Sequence, residues 1–225
     1  MGKGMITALS FTEVGGHALN EDAFALHQHP LEPAMWFCFM ADGQGGRSGG
    51  GQAARIACET AIGCVAKYPP ESWWIQRTWA SLFRLVDEAV LADPVAGFTT
   101  FVGLCVTCDR VVGISSGDSA AIVVTGEVSV DLTARQHKNP PCGSGVAKGT
   151  TFEANLYVPW RLLAMTDGVW KYVGWERVTA AARRELGSEV VAELQQSARL
   201  RGSGLFQDDF TVVLLEEVGP NATAR

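Results

Sequence analysis

Four short stretches share one local pattern, an acid placed where a strand-like run meets a turn. They are Asn20-Glu21-Asp22, Ala41-Asp42-Gly43, Thr166-Asp167-Gly168 and Gln207-Asp208-Asp209. A fifth, Gly117-Asp118-Ser119, lies between two β-rich runs. Taken singly each is ordinary, because Asp-Gly is a turn signal and a solvated turn is the plain explanation. The shared context is less ordinary. Met35 to Ala41 drives an apolar run into Asp42, and Leu162 to Thr166 drives another into Asp167. Both are followed by helical segments, not by hairpin partners. If these strand ends meet, several carboxylates converge, and such a cluster either holds protons or destabilises the chain. Divalent cations resolve the conflict, and an all-oxygen donor set favours Mg²⁺ or Mn²⁺ over zinc. Two such ions sharing an Asp can bind a phosphate, lower the pKa of a shared water and stabilise in-line attack. Asp42 is the natural centre of this set. The Gly43 carbonyl lies beside it, where glycine lets the backbone approach a ligand.

The elements that must position these acids are legible in outline. Strands are expected over 5–11, 21–27 and 35–41, and a helix over 52–67 with a small-residue face of Ala54, Ala57, Cys58, Ala61 and Val65. Pro69-Pro70 stops that helix. Ser72 is the expected N-cap of a second, carrying Ile75, Trp79, Leu82, Val86 and Val90 on one face until Asp93-Pro94. Strands follow over 99–108, 111–116, 120–125, 127–132, 151–158 and 161–166. The breaks at Asp109-Arg110 and Gly126 suit hairpins, so these strands should pair antiparallel. The polar stretch 134–149, with Pro140-Pro141, reads as an exposed loop. Helices over 175–186 and 188–200, separated by a capping Gly187, precede a last strand over 210–216. Strands and helices come in blocks, which predicts an α+β fold of antiparallel sheets covered by helix pairs.

Bulk properties narrow the function. The length of 225 residues suits one catalytic domain, set here at 1–218, with a polar tail over 219–225. A net charge of -6 and a pI near 5.2 argue against nucleic-acid or anionic-membrane surfaces. No apolar run approaches the ~20 residues needed to cross a bilayer, and the N-terminus lacks a secretory apolar core. A cytoplasmic location is the expectation. The Cys105-Val-Thr-Cys108 spacing mimics a zinc knuckle, but alternation along a strand would turn the two thiols to opposite faces. Core thiols are the expected role.

Taken in order, these motifs resemble the metal-dependent protein phosphatase family, the type 2C serine/threonine phosphatases. The likeness runs from Asn20-Glu-Asp-Ala23 through Ala41-Asp-Gly-Gln-Gly-Gly46, Gly117-Asp-Ser119 and Thr166-Asp-Gly-Val-Trp170 to Asp208-Asp-Phe-Thr-Val212. The resemblance implies an α-β-β-α sandwich. It implies that Asp42 bridges two Mn²⁺ or Mg²⁺ ions, that the Gly43 carbonyl completes one, and that Glu21, Asp167 and Asp208 supply further carboxylates. Asp22 would orient the attacking water, and Asp118 matches an acid tied to a weak third metal in bacterial members. The implied substrate is a phosphoserine or phosphothreonine protein in a kinase pathway, met by a monomer.

Departures from the pattern are informative. His17 stands where the family usually has a phosphate-gripping Arg. Gln44 replaces a His proposed as general acid in animal members. Lys171 occupies the position of the usual third-metal partner. Arg47 is a candidate substitute phosphate ligand, against the plain reading of an exposed cation at a helix start. The segment 133–151 corresponds to a shortened flap. Two rival readings are a nucleotide-binding loop, Gly43-x-Gly45, whose third glycine is replaced by Ser48, and a catalytically inactive relative that only binds phosphoproteins.

Overall fold

The structure, a computed structural model, describes residues 5–44, 49–184 and 187–217. Within them two antiparallel five-stranded sheets lie face to face. One has the order β1 (Thr7–Glu13), β10 (Phe210–Glu217), β9 (Trp160–Met165), β6 (Ala120–Thr125), β7 (Val128–Asp131). The other runs β2 (Asp22–His29), β3 (Glu32–Asp42), β4 (Phe101–Val106), β5 (Arg110–Ser116), β8 (Thr150–Asn155). The expected hairpins form: β4 pairs with β5 and β6 with β7. Gly117-Asp118-Ser119 carries the chain from one sheet to the other.

The apolar run in β3 is explained by burial on both faces. Cys38 and Met40 enter the core between the sheets with Val102, Leu104, Leu162 and Val213. Phe37, Phe39 and Ala41 face the other way, onto helices α1 (Gly50–Val65) and α2 (Gln76–Ala92). Such a strand reads as continuous hydrophobicity with no alternation. The alanine face of α1 (Ala53, Ala54, Ala57, Ala61) lies in the same cluster, and its small side chains permit close packing on the sheet. Helices α3 (Asp167–Val173), α4 (Trp175–Arg184) and α5 (Gly187–Ala198) cover the sheet that contains β6, β9 and β10. The α-β-β-α arrangement is as expected.

Several boundaries differ from expectation, each for a local reason. Ser72 lies inside a 3₁₀ turn, Pro70–Trp74, and caps nothing. The turn buries Trp73, whose carbonyl accepts a hydrogen bond from Trp79 Nε1 at 2.8 Å. The second helix therefore starts at Gln76, and Ile75 is left 50% exposed instead of joining the core face. Three helices, not two, follow β9, because Asp167 itself opens a short one and Gly174, at φ 87°, breaks it from α4. Gly187 is the first residue of α5 and not a cap. No disulfide joins any of the six cysteines; Cys105 is buried and Cys108 half-buried. The stretch 134–149 is not simply exposed. Cys142 is buried, and the Asp87 carboxylate of α2 accepts amide hydrogen bonds from Gly143 at 2.6 Å and from Gly145 and Ala147 at 3.3 Å.

Candidate functional site

The sheet registers bring the acidic motifs to one end of the sandwich. Asp22 stands directly opposite Asp42 in the β2–β3 ladder, so two carboxylates share one face of neighbouring strands. Like charges placed this way repel. From the other sheet, Thr166 follows β9 and donates through Oγ1 to Asp22 Oδ2 at 2.8 Å. Asp167 comes next, and Asp208-Asp209 precedes β10, the partner of β9. Glu21, Asp42, Gly43, Asp118, Asp167, Asp208 and His17 line one cavity of about 270 Å³. Asp22 does not line it. Arg47 lies outside the described residues. A larger hollow of about 890 Å³, between Trp36 and Trp74, shares no lining residue with the acidic one.

Asp42 is locked by its backbone. Its N–H donates to Thr100 Oγ1 at 2.9 Å, and its carbonyl accepts from Thr100 N–H at 2.9 Å and Thr99 Oγ1 at 2.8 Å. Thr100 Oγ1 also meets Ser119 Oγ at 2.7 Å, which ties the Asp118 turn to Asp42. Gly43 passes so close to Gly50 that any side chain there would run into backbone. The Gly43 N–H donates to the Glu21 carbonyl at 3.1 Å and the Gln44 N–H to the Phe98 carbonyl at 2.8 Å. Neither bond occupies the Gly43 carbonyl.

Sequence reasoning gave these supporting residues no role. Thr99 and Thr100 fell inside an expected strand, yet β4 begins after them and they form the socket for Asp42. Asp209 was legible as half of an acidic doublet, but only Asp208 was assigned. Buried Asp209 accepts the Gly15 N–H on Oδ1 at 2.8 Å and the Glu21 N–H on Oδ2 at 2.7 Å. Such charge-assisted bonds hold the loop that carries His17 and Glu21. Lys138, from the stretch 134–149, was also missed.

Two electrostatic situations coexist. Burial first, then the carboxylates of Asp22, Asp167, Asp118 and Asp208, push the Asp42 carboxyl well above the ordinary range. Burial likewise raises Asp22, against the hydrogen bonds of Thr211 and Thr166 and with the help of Asp209 and Asp167. Asp22 Oδ1 is buried and has no hydrogen-bond partner. The outer acids face basic side chains of their own chain. Lys171 Nζ lies 2.6 Å from Asp167 Oδ2, Lys138 pairs with Asp118, and His17 Nε2 lies 3.4 Å from Asp208 Oδ1. Burial still raises Asp167 despite Lys171. Among the described residues no three His, Cys, Asp or Glu side chains already form a chelating group. The outer carboxylates turn to their cations instead. The donors nonetheless fit a hard divalent ion: all are oxygens, the innermost carboxylate is starved of positive charge, and a buried carboxylate oxygen behind it is unpartnered.

Comparison with known proteins bears on this geometry. The family model described as protein phosphatase 2C matches residues 14–199. No curated protein sequence matches the chain. Among solved structures, the chain is similar to the serine/threonine phosphatase Stp1 from Staphylococcus aureus, with a TM-score of 0.79 at 18% identity over 97% of this chain and 98% of that one. It is similar to the catalytic domain of the serine/threonine protein phosphatase PstP, in complex with two manganese ions, with a TM-score of 0.76 at 20% identity over 95% and 98%. RsbX in complex with magnesium gives a TM-score of 0.71 at 16% identity over 94% and 95%.

Proposed function

The chain belongs to the protein phosphatase 2C family, and from that membership and its acidic cluster we propose that it is a metal-dependent protein serine/threonine phosphatase. The observation that carries this reading is the Asp22–Asp42 pair, directly opposed across two strands with five further acids lining the cavity. Asp42, Glu21, Asp167, Asp208 and the Gly43 carbonyl would hold two Mn²⁺ or Mg²⁺ ions, which supply positive charge for a phosphate and a water of lowered pKa.

The chain's own residues have separable tasks. Thr99 and Thr100 fix the main chain of Asp42, so its side chain enters the cavity from a set point. Asp22, opposite Asp42 and one residue from Glu21, would orient the attacking water from behind the cavity wall. His17, at the cavity rim, donates a hydrogen bond to the substrate phosphate. Gln44 offers an amide hydrogen bond and no proton.

The reading extends to one catalytic unit over 1–218, acting as a cytoplasmic monomer on proteins phosphorylated on Ser or Thr by a kinase. Among the described residues no helix is long and apolar enough to cross a membrane. The test is release of phosphate from a phosphoserine peptide with Mn²⁺, with and without chelator. Turnover should require the metal and be lost in Asp42→Ala and Asp167→Ala. No turnover at any metal concentration, in a folded protein, would favour an inactive phosphoprotein-binding role.

A further inference from the structure

Beside the acidic cavity lies a shallower hollow of about 250 Å³. The two share Gly117, Asp118 and Lys138 as a common wall. The second hollow is lined by stacked indoles, Trp170 and Trp175, with ring centroids 5.4 Å apart and planes at 18°. Trp170 Nε1 donates to the Asp118 carbonyl at 3.0 Å, which pins its ring to the shared wall. Trp175 remains 36% exposed.

Two of the polar atoms left free around these rings are acceptors. Gln136 donates through Nε2 to the Ser119 carbonyl at 2.8 Å, and its buried Oε1 has no partner. Asp131 Oδ1 accepts from the Thr133 N–H at 2.8 Å and Oγ1 at 2.7 Å, while Oδ2 takes part in no bond among the described residues. Lys138, on the shared wall, is already paired with Asp118 and does not cancel Asp131.

This hollow is smaller than the roughly 300–1,000 Å³ of whole-ligand sites, so its size suits one side chain. An apolar side chain would use the indoles but leave Gln136 Oε1 unanswered. A lysine would pair with Asp131 and present no flat face to the rings. A guanidinium does both: it stacks on an aromatic face and carries five N–H donors in one plane. We propose that the hollow receives an arginine of the phosphoprotein substrate, within about three residues of the phosphorylated one, a span set by the shared wall and the reach of an extended chain. The proposal rests on the phosphatase reading of the adjoining cavity.

The test uses phosphoserine peptides of one length in an alanine-glycine background. A single arginine is moved from three residues before the phosphoserine to three after it. At one position kcat/KM should rise about fivefold to tenfold over the peptide without arginine, and less with lysine there. Trp175→Ala and Asp131→Asn should each bring that ratio toward one. p-Nitrophenyl phosphate, which has no side chain to place, reports the phosphatase reading separately. If neither it nor any peptide turns over, that reading fails, and binding alone decides the inference. For binding, labelled peptides carry a non-hydrolysable phosphonate and anisotropy is read. The arginine peptide should bind more tightly by a similar factor, and Trp175→Ala should remove the difference. Equal affinities, or a preference that survives both substitutions, overturn the proposal.

Discussion

The acids at the end of the sandwich fall into two groups that the chain treats differently. Asp118, Asp167 and Asp208 lie toward the outside, and each meets a lysine or histidine. Asp22 and Asp42 lie further in, and among the described residues no lysine or arginine reaches either. The difference teaches what kind of counter-charge the inner pair requires. A lysine brings four methylenes and a large hydration shell, and it neutralises an acid best where its head stays wet. Lys138, 68% exposed at its side chain, does so. Inside the cluster a small, hard cation replaces hydration with carboxylate oxygens directly. The outer acids can rest on the chain's own cations; the inner pair cannot.

The largest effect expected from this contrast belongs to Asp42. Asp42→Ala should lower kcat/KM by at least on the order of 10³-fold, and more than Asp167→Ala, in steady-state assays with Mn²⁺. The reverse ranking would break the comparison, since it would put the functional centre among the outer acids. Asp42→Asn sharpens it from the side of stability. A carboxyl whose folded pKa is raised stabilises the fold at pH below its unfolded value. That stabilisation is lost as pH rises toward the folded value. In chelator-treated protein Asn should therefore raise the melting temperature by about 3 °C or more at pH 8, and by less at pH 5. With saturating Mn²⁺ the wild type should regain the lead, because binding to the folded state adds its own stabilisation.

Asp209, on the cavity wall, supports the comparison through the two amides of the loop it holds. Asp209→Ala leaves those amides buried without an acceptor and loosens Glu21 and His17 together. Supporting groups of this kind typically contribute 10–100-fold, so kcat/KM should fall by roughly that factor while Asp42 stays in place. A change under about twofold would mean that the β2 register positions Glu21 unaided.

How much of this was legible in sequence depended on the range over which each feature is encoded. The α-β-β-α order followed from blocks of strands and helices, because period and turn chemistry act within a few residues. The carboxylates of the cavity other than Asp209 were named because each stands where a strand-like run meets a turn. The α2 cap was misplaced because burial of Trp73 overrode the local preference for Ser72. The Thr99-Thr100 socket was missed because hydroxyls before a strand look alike whether they face solvent or an Asp 58 residues away. Pairings such as Lys138 with Asp118 arise only after folding brings the stretch 134–149 onto the strand ends, and neither residue type announces it.

Lys171 lets the outer half of the comparison be measured. Its ammonium lies 2.6 Å from Asp167 Oδ2, and removing it frees a carboxylate oxygen and removes a like charge from beside the cations proposed for the cavity. Lys171→Ala should tighten Mn²⁺ binding by about threefold to tenfold in titration calorimetry, with no loss of fold. Lys138→Ala should do less, because that side chain is more exposed and water already screens it. Unchanged affinity in Lys171→Ala would mean that the ammonium moves aside whenever metal binds.

The smallest expected effect concerns His17, the weakest of the outer contacts at 3.4 Å and 46% exposed. A neutral imidazole gives a phosphate one hydrogen bond, whereas a guanidinium gives two in a fixed fork and is always charged. If His17 touches the substrate phosphate, His17→Arg should lower KM about threefold to tenfold and leave kcat nearly unchanged, since the added contact binds substrate and transition state alike. A guanidinium at this position would also face Asp208, and a preference for that carboxylate would raise the Mn²⁺ requirement instead of lowering KM. Measuring KM across a Mn²⁺ series separates the two: a lower KM at saturating metal puts His17 on the phosphate, and a shifted metal requirement alone confines it to Asp208.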